Sequence, residues 1–459
     1  MAGDSYDVIV IGAGPTGENV ADRAQRGGLS AVVVESELVG GECSYWACKP
    51  SKALLRPVAA VAEAAAVRGV SGARLEPAEV LARRDTFTHD WKDDGQVEWL
   101  NGAKIDLVRG HARLAGERLV SVGGDTLTAR QAVVIATGTD ALVPPALAGV
   151  KAWTSREATS AKSVPPRLAI VGGGVVGCEM AAAWSALGSR VTLMSRDELL
   201  DRMPAFAGSL VAGGLRDAGV DVRAGVNVTA ATRADGDGPV TLTLDDGTQV
   251  TADEVLAATG RTPRTGDIGL PAVGLEDGAW LSVDDTMRVT AVAGGWLYAA
   301  GDVNHLALLT HMGKYQARVC GDAIAARAAG REPAVRDEAS KTRVPQVVFT
   351  IPEVAAVGLT AGQATAAGLR IRVVEYEIGY VAGAKLFADH YRGRAQMIVD
   401  EDRKVIVGLT LAGPGTGEMI HAATIAVVGE VPLDRLWHAV PSYPTMSEVW
   451  LRLLETYGL

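Results

Sequence analysis

Short apolar runs, each too brief for a helix and each broken by glycine, recur along the chain. Tyr6–Ile11 is one, and such a run predicts a short buried strand. The Ala-rich stretch after Gly17, to about Arg26, predicts a helix, and Ala31–Glu35 predicts a second strand. The pattern then repeats. Arg167–Val171 predicts a strand, a helix follows Gly177, and Arg190–Met194 predicts the next strand. Gly172 stands where Gly12 stood, 160 residues on. Each copy has a closing strand that ends in Ala-Thr-Gly, at Val133–Gly138 and at Val255–Gly260. Alternating Thr and Leu between residues 229 and 250 predicts a β-meander, and the Pro-rich stretch 143–166 reads as a boundary. Gly295–Asp302 predicts a strand running into a Gly-Asp turn and a helix, which returns the chain to its first domain. From Val344 short alternating strands and two helices predict a separate α+β domain.

The glycines inside the two βαβ copies are spaced G-x-G-x-x-G, as Gly12, Gly14, Gly17 and as Gly172, Gly174, Gly177. In that spacing the first glycine makes the turn and the second lets backbone approach a pyrophosphate. The third lets helix and strand pack closely, and the helix N-terminus holds the phosphates. The expected fold class is therefore α/β, with two Rossmann-like dinucleotide-binding domains followed by the α+β domain. The expected segments are 1–150 and its return 276–343, then 151–275, then 344–459. The copies differ where they discriminate. Glu35 ends the second strand of the first, placed to bind a ribose 2′-OH, and the second copy has Ser195 there, with Arg196 beside it and Arg202 further on. Serine and arginine suit a 2′-phosphate, so the second site reads as built for NADPH, with NADH as the alternative donor; solvated surface arginines are the plainer reading.

At 459 residues the chain is long for a single core, and 48% hydrophobic with 21% charged residues is globular composition. A formal charge of −10 argues against a nucleic-acid partner. No uncharged apolar stretch is long enough for a membrane helix. Met1–Asp7 carries two acids and no basic region, so no secretory leader is expected. The four cysteines, Cys43, Cys48, Cys178 and Cys320, are too few for a secreted disulfide scaffold and suit a cytoplasmic location. No His/Cys or carboxylate cluster reads as a metal site, and Cys178 and Cys320 lie in apolar helical runs, as core thiols would.

Cys43 and Cys48 stand apart, behind Gly40-Gly41 and ahead of a helix-favouring run. A regular helix does not bring the Cα atoms of residues five apart to disulfide distance. The spacing instead fits a loop entering a helix, with Cys43 before the first turn and Cys48 inside it. A thiol there, near Lys49 and Lys52, is expected to have a lowered pKa. A structural disulfide and two core thiols are the alternatives. Between the cysteines, Ser44-Tyr-Trp-Ala47 either shapes a pocket or packs against the first domain.

Along nearly its whole length the chain resembles the FAD-dependent pyridine nucleotide–disulfide oxidoreductases, the group of dihydrolipoamide dehydrogenase, glutathione reductase and mercuric reductase. The resemblance rests on the first glycine motif with Glu35 and on Gly40-Gly41 followed by Cys-x4-Cys-x-Pro-Ser-Lys52. It continues through Gly172–Glu179, Ala258–Arg261, Ala300-Gly-Asp302 and Val348–Val354. It implies that Glu35, Gly138 and Asp302 bind FAD and that Gly260 and Arg261 belong to the cofactor-binding set. It implies that Cys48 faces the flavin and that Cys43 attacks the substrate. Lys52 would sit by the flavin and pair with Glu179. Residues 344–459 would be a dimerisation domain, giving a homodimer whose subunits share each active site.

One departure alters the expected chemistry. The family usually carries His-Pro-Thr-(Leu/Met)-Ser-Glu near its C-terminus, with the histidine as acid–base and the glutamate orienting it. Here the stretch is Tyr443-Pro-Thr-Met-Ser-Glu448. A phenol titrating near about 10 replaces an imidazole titrating near about 6.5. Tyrosine there resembles mercuric reductase, yet no cysteine follows Cys320, so that enzyme's C-terminal pair is missing. The leading expectation is an enzyme passing electrons from NADPH through FAD and Cys43–Cys48 to a disulfide-type or other small-molecule substrate. The alternative is reduction of quinones, dioxygen or metal ions at the flavin, with the cysteines secondary.

Overall fold

The computed structural model describes residues 4–234, 236 and 238–459. Residues 1–3, the start of the stretch read above for a leader, lie outside the described residues. The chain forms two compact units, one of residues 1–50, 85–141 and 261–341, the other of residues 51–84, 142–260 and 342–459. These limits differ from the segments expected at 150 and 275. Leu54, Leu55, Val80 and Leu81 pack in one cluster with Leu168, Met180 and Val348, which draws residues 51–84 into the second unit. Arg261–Pro263 pairs with Thr139–Ala141, which moves the later limit forward.

The first unit is built on a seven-stranded sheet. Asp106–Arg109, Ala31–Glu35, Ser5–Ile11 and Asp125–Ile135 are neighbours in that order and run parallel. The return strand Leu297–Ala299 adds to Asp125–Ile135, also in parallel. Val8–Ile11 is buried throughout, as a parallel strand covered on both faces must be. Ile11 lies level with Val34 and Ile135, so both neighbouring strands end beside Gly12.

The second unit holds a parallel sheet of Asp221–Ala224, Arg190–Ser195, Arg167–Val171 and Glu254–Ala257. The meander is an antiparallel sheet of Val228–Arg233, Val240–Leu244 and Gln249–Ala252. Five antiparallel strands from Pro345 to Gly413 form the sheet of the C-terminal segment. Five α-helices accompany them where two were expected. The surplus ones, Ala361–Ala366, Ala382–Phe387 and Leu433–Leu436, span four to six residues, too few to show helical periodicity in sequence.

Candidate active site

The first glycine motif forms a tight strand-to-helix turn. Gly12 has φ +98°, and a Cβ there would lie 2.6 Å from the Ala136 carbonyl oxygen. A Cβ on Gly17 would strike the Gly12 carbonyl, so neither position admits a side chain. Gly14 opens the other way, onto empty space at the N-terminus of the helix Pro15–Arg26. Glu35 closes the turn. Its Oε2 accepts the Ala13 N–H at 2.7 Å and its Oε1 the Glu37 N–H at 2.8 Å. The carboxylate is thereby fixed as an acceptor beside the turn.

Just past the carboxyl end of the return strand Asp302 is half-buried, and desolvation raises its pKa while nearby Arg261 and a hydrogen bond from Thr139 oppose the shift. Thr139 Oγ1 donates to Asp302 Oδ2 at 3.0 Å, and Arg261 Nε donates to Thr139 Oγ1 at 2.5 Å. Arg261 follows the closing strand of the second copy but belongs with the first unit, paired across to Thr139. Sequence reasoning missed Thr139, Glu42 and Arg264. Glu42 accepts from Arg264 at 3.1 Å, and Arg264 also grips Asp140 at 2.6 Å.

The cysteine pair is arranged differently from the expected loop-then-helix. Cys43 lies inside a short helix of its own, Gly41–Tyr45, and Cys48 opens the next, Cys48–Ala65. The left-handed Gly40 starts the first helix early, and the break falls at Trp46 and Ala47. Both cysteines are free thiols. The Cys43 thiol is pushed strongly upward, first by its hydrogen bond to Cys48 and then by burial, with Thr310 and Lys314 opposing. Cys48 Sγ also lies 3.3 Å from Thr310 Oγ1, another contact without a signal in the sequence.

Of the two aromatics between the cysteines, Tyr45 is buried packing. Its hydroxyl donates to the Lys92 carbonyl at 3.2 Å, and Trp91 Nε1 donates to the Tyr45 carbonyl at 3.1 Å. Trp91 ends three consecutive residues with left-handed φ, His89 at 50°, Asp90 at 50° and Trp91 at 56°. Asp93 adds a bond from the Val39 N–H at 2.7 Å. A strained turn therefore holds the segment between the cysteines.

Lys52, in the Cys48–Ala65 helix, donates to Glu179 Oε2 at 2.7 Å, and Phe349 N–H donates to Glu179 Oε1 at 3.0 Å. Glu179 is buried, and Lys52 also lies 4.9 Å from the centre of the Phe349 ring. The second glycine motif repeats the first, with Gly174 open and a Cβ on Gly172 placed 2.2 Å from the Ala258 carbonyl oxygen. Ser195 is buried against Gly173. Arg196 is 80% exposed and pairs with Asp197 at 3.0 Å. Arg202 lines a surface cleft with Asp201, Thr360 and Gln396. Gly260 ends the adjoining strand, its carbonyl accepting the Leu142 N–H at 2.9 Å.

Near the C-terminus Tyr443 and Glu448 share no hydrogen bond among the described residues. Tyr443 is 76% exposed. Glu448 is buried and accepts the Gly383 N–H at 3.1 Å. Cys178 and Cys320 are fully buried, and burial pushes both thiols up, Cys178 to about 12. Among the described residues no group of three His, Cys, Asp or Glu side chains is placed to hold a metal ion. Among the described residues no helix is long and apolar enough to cross a membrane.

The first unit fits a flavin dinucleotide. Gly14 and Gly138 face open space, and between the strand end and Gly138 the Thr137 hydroxyl is buried without a partner. Those donors, with Glu35 and Asp302, would hold the ribose, pyrophosphate and ribityl groups.

Comparison with known proteins agrees. Residues 6–330 match the family described as pyridine nucleotide-disulphide oxidoreductase, and residues 344–453 match its dimerisation domain, which supports a homodimer. A dihydrolipoyl dehydrogenase of Thermus scotoductus is 32% identical, covering 98% of this chain and 97% of that protein. Dihydrolipoyl dehydrogenase 3 of Pseudomonas aeruginosa is 33% identical over 97% of this chain and 96% of its own length. Among solved structures the fold is shared with the Cu(II) complex of the HOCl-induced flavoprotein disulfide reductase RclA from Escherichia coli. That match has a TM-score of 0.84 at 23% identity and covers 99% of both chains. LpdA from Mycobacterium tuberculosis also has a TM-score of 0.84, at 24% identity, over 98% of this chain and 100% of that one. Two nucleotide motifs, a dithiol and a lysine paired with a buried glutamate stand on a chain that belongs to the pyridine nucleotide-disulphide oxidoreductases, enzymes that bind FAD and draw electrons from NAD(P)H.

Proposed function

We propose that the enzyme takes its electrons from NADPH and delivers them through Cys48 and Cys43 to a disulfide-type substrate. Bound FAD supplies the two-electron carrier between nicotinamide and dithiol. The reading is supported above all by the two free thiols and by the hydrogen bond between them. That arrangement leaves Cys48 to exchange electrons with the flavin and Cys43 to attack the substrate. Lys52 and Glu179 fix one another and bear on the flavin. Glu35, Gly12, Gly14, Gly17, Gly138, Arg261 and Asp302 hold FAD. Gly172, Gly174, Gly177, Gly260, Ser195, Arg196 and Arg202 hold NADPH. The enzyme works in the cytoplasm, and the C-terminal segment of each subunit, with Tyr443 and Glu448, completes the site of the other.

Anaerobic titration with NADPH tests this reading. A long-wavelength thiolate-to-flavin band should appear at the two-electron stage. Cys43→Ser should abolish reduction of disulfides and spare reduction of quinones. Equal loss of both activities would refute a separate thiol route. One observation favours a second reading, reduction of acceptors at the flavin itself: Tyr443 stands exposed while Glu448 is engaged by Gly383, so these two residues do not stand as an acid–base pair. A Cys43→Ser enzyme with full activity toward its best acceptor would establish it.

A further inference from the structure

Disulfide reduction needs a group that takes a proton from the attacking thiol and returns it to the leaving one. The residue before Pro444 is a tyrosine, and its phenol is a poor base at neutral pH. One acid has a buried oxygen without a partner among the described residues. Glu18 lies in the first turn of the helix Pro15–Arg26, and its Oε1 is buried with no hydrogen-bond partner among the described residues. The short helix carrying Cys43 packs on that same turn. A Cβ on Gly41 would lie 2.9 Å from the Gly14 Cα.

The charged and titratable groups around Glu18 come from four elements. Lys314 comes from the helix Thr310–Ala328, Lys49 from the first turn of the Cys48 helix, and Glu35 from the end of its strand. Tyr45 comes from the Cys43 helix. Burial is the largest influence and raises the Glu18 carboxyl to about 7; Glu35 adds to it, and Lys314 and Lys49 oppose. The dithiol shares part of this setting. The Thr310 hydroxyl bears on both Cys43 and Cys48, and Lys314 one turn along bears on Cys43. Glu18 and Cys43 thus share Lys314.

We propose that Glu18 holds the proton exchanged during disulfide reduction, in place of the absent imidazole and with Lys314 bearing on both groups. This rests on the reading of Cys43 as the attacking thiol. The Cys43 proton passes to the Glu18 carboxylate as the Cys43 sulfur bonds to one substrate sulfur. The substrate S–S bond breaks, and the leaving sulfur takes the proton from Glu18. Cys48 then attacks the Cys43 sulfur, closes the internal disulfide and releases the second substrate thiol, which takes the Cys48 proton. Two electrons and two protons leave the dithiol, and the substrate disulfide gains both.

The test is stopped-flow reoxidation of the NADPH-reduced holoenzyme by two disulfides. Bis(2-hydroxyethyl) disulfide releases a weakly acidic thiol that needs the proton. 5,5′-Dithiobis(2-nitrobenzoate) releases a stable thiolate that does not. Glu18→Gln should slow the alkyl disulfide relative to the aromatic one by about tenfold or more and remove an inflection near about pH 7. Glu18→Asp should restore part of both. An unchanged rate ratio and an unchanged pH profile would overturn the proposal. Should Glu18→Gln fail to fold, the wild-type ratio must itself change across that pH range, and a flat ratio overturns the proposal. Cys43→Ser separates the two layers. Alkyl disulfide reduction surviving in Cys43→Ser defeats the reading beneath, whereas its loss there and persistence in Glu18→Gln defeats Glu18 alone.

Discussion

Lys52 Nζ lies 2.7 Å from Glu179 Oε2, and the other oxygen of that carboxylate takes the Phe349 N–H at 3.0 Å. The partners are unequally buried, with side chains 35% and 4% exposed. Removing the lysine therefore strands a buried charge, whereas removing the acid frees a lysine that can still reach water. Lys52→Met should cost about 2–3 kcal/mol, below the range of about 3–5 kcal/mol for a fully buried pair because solvent screens the lysine. Glu179→Gln should cost roughly half as much, since the amide oxygen still accepts from Phe349. Urea unfolding of the two variants measures the difference.

The turn over Tyr45 yields a second prediction. Trp91→Phe keeps an aromatic side chain but deletes the donor to the Tyr45 carbonyl, at a cost of about 1 kcal/mol for the lost bond. It should also loosen the segment between the cysteines, so that the Cys43–Cys48 disulfide forms less readily in a thiol–disulfide redox buffer. Asp90→Gly acts oppositely on stability. Its φ of 50° suits glycine, so relief of strain should outweigh the backbone entropy and stabilise by roughly 0.5 kcal/mol. Thermal melts of both variants show the signs.

Why such features escaped the sequence is instructive. The two nucleotide copies were legible because glycine spacing and apolar strands are local signals, and Gly12 and Gly172 do meet the same steric limit against Ala136 and Ala258. The Lys52–Glu179 pair was legible through the resemblance alone, since 127 residues separate the partners. Arg261 was attached to the wrong unit because nothing local says that a strand end will pair with Thr139–Ala141. The early helix at Cys43 followed from a left-handed Gly40, which in sequence is one glycine of a pair. Glu18 reads as an ordinary first-turn acid on a helix, and only tertiary packing buries it.

Close approach governs Gly383. A Cβ there would lie 1.9 Å from the Thr445 carbonyl carbon and 2.4 Å from the Met446 nitrogen, both backbone atoms that cannot yield. Gly383→Ala should therefore displace the 443–448 segment and break the Gly383–Glu448 bond, costing about 3 kcal/mol or more. Size-exclusion chromatography and urea unfolding should show a weakened dimer and a lower midpoint.

The proposed preference for NADPH makes Arg196 of the second copy a test position. Arg196 engages only its neighbour Asp197, at 3.0 Å, and as an exposed pair that contact holds it weakly. It is therefore available to a 2′-phosphate. Arg196→Gln should raise the KM for NADPH by about tenfold and leave that for NADH nearly unchanged, as loss of one charge-assisted bond predicts. Steady-state kinetics with both coenzymes decides it, and equal changes would exclude a 2′-phosphate contact.

Burial of Glu18 also leaves a mark on stability that is independent of turnover. Its carboxyl is raised from 4.5 to about 7 in the folded chain, chiefly by burial. At pH below 4.5 the group is protonated in both folded and unfolded chains and contributes nothing. Between 4.5 and about 7 the folded chain keeps a proton that the unfolded chain has lost, so its stability falls as pH rises. Above about 7 the penalty is complete, up to roughly 3 kcal/mol for a shift of this size. Glu18→Gln removes the titration while keeping the shape of the protonated acid. The variant should match the wild type in urea unfolding near pH 4 and exceed it progressively up to pH 8. A constant difference between the two proteins across that range would place the carboxyl in water.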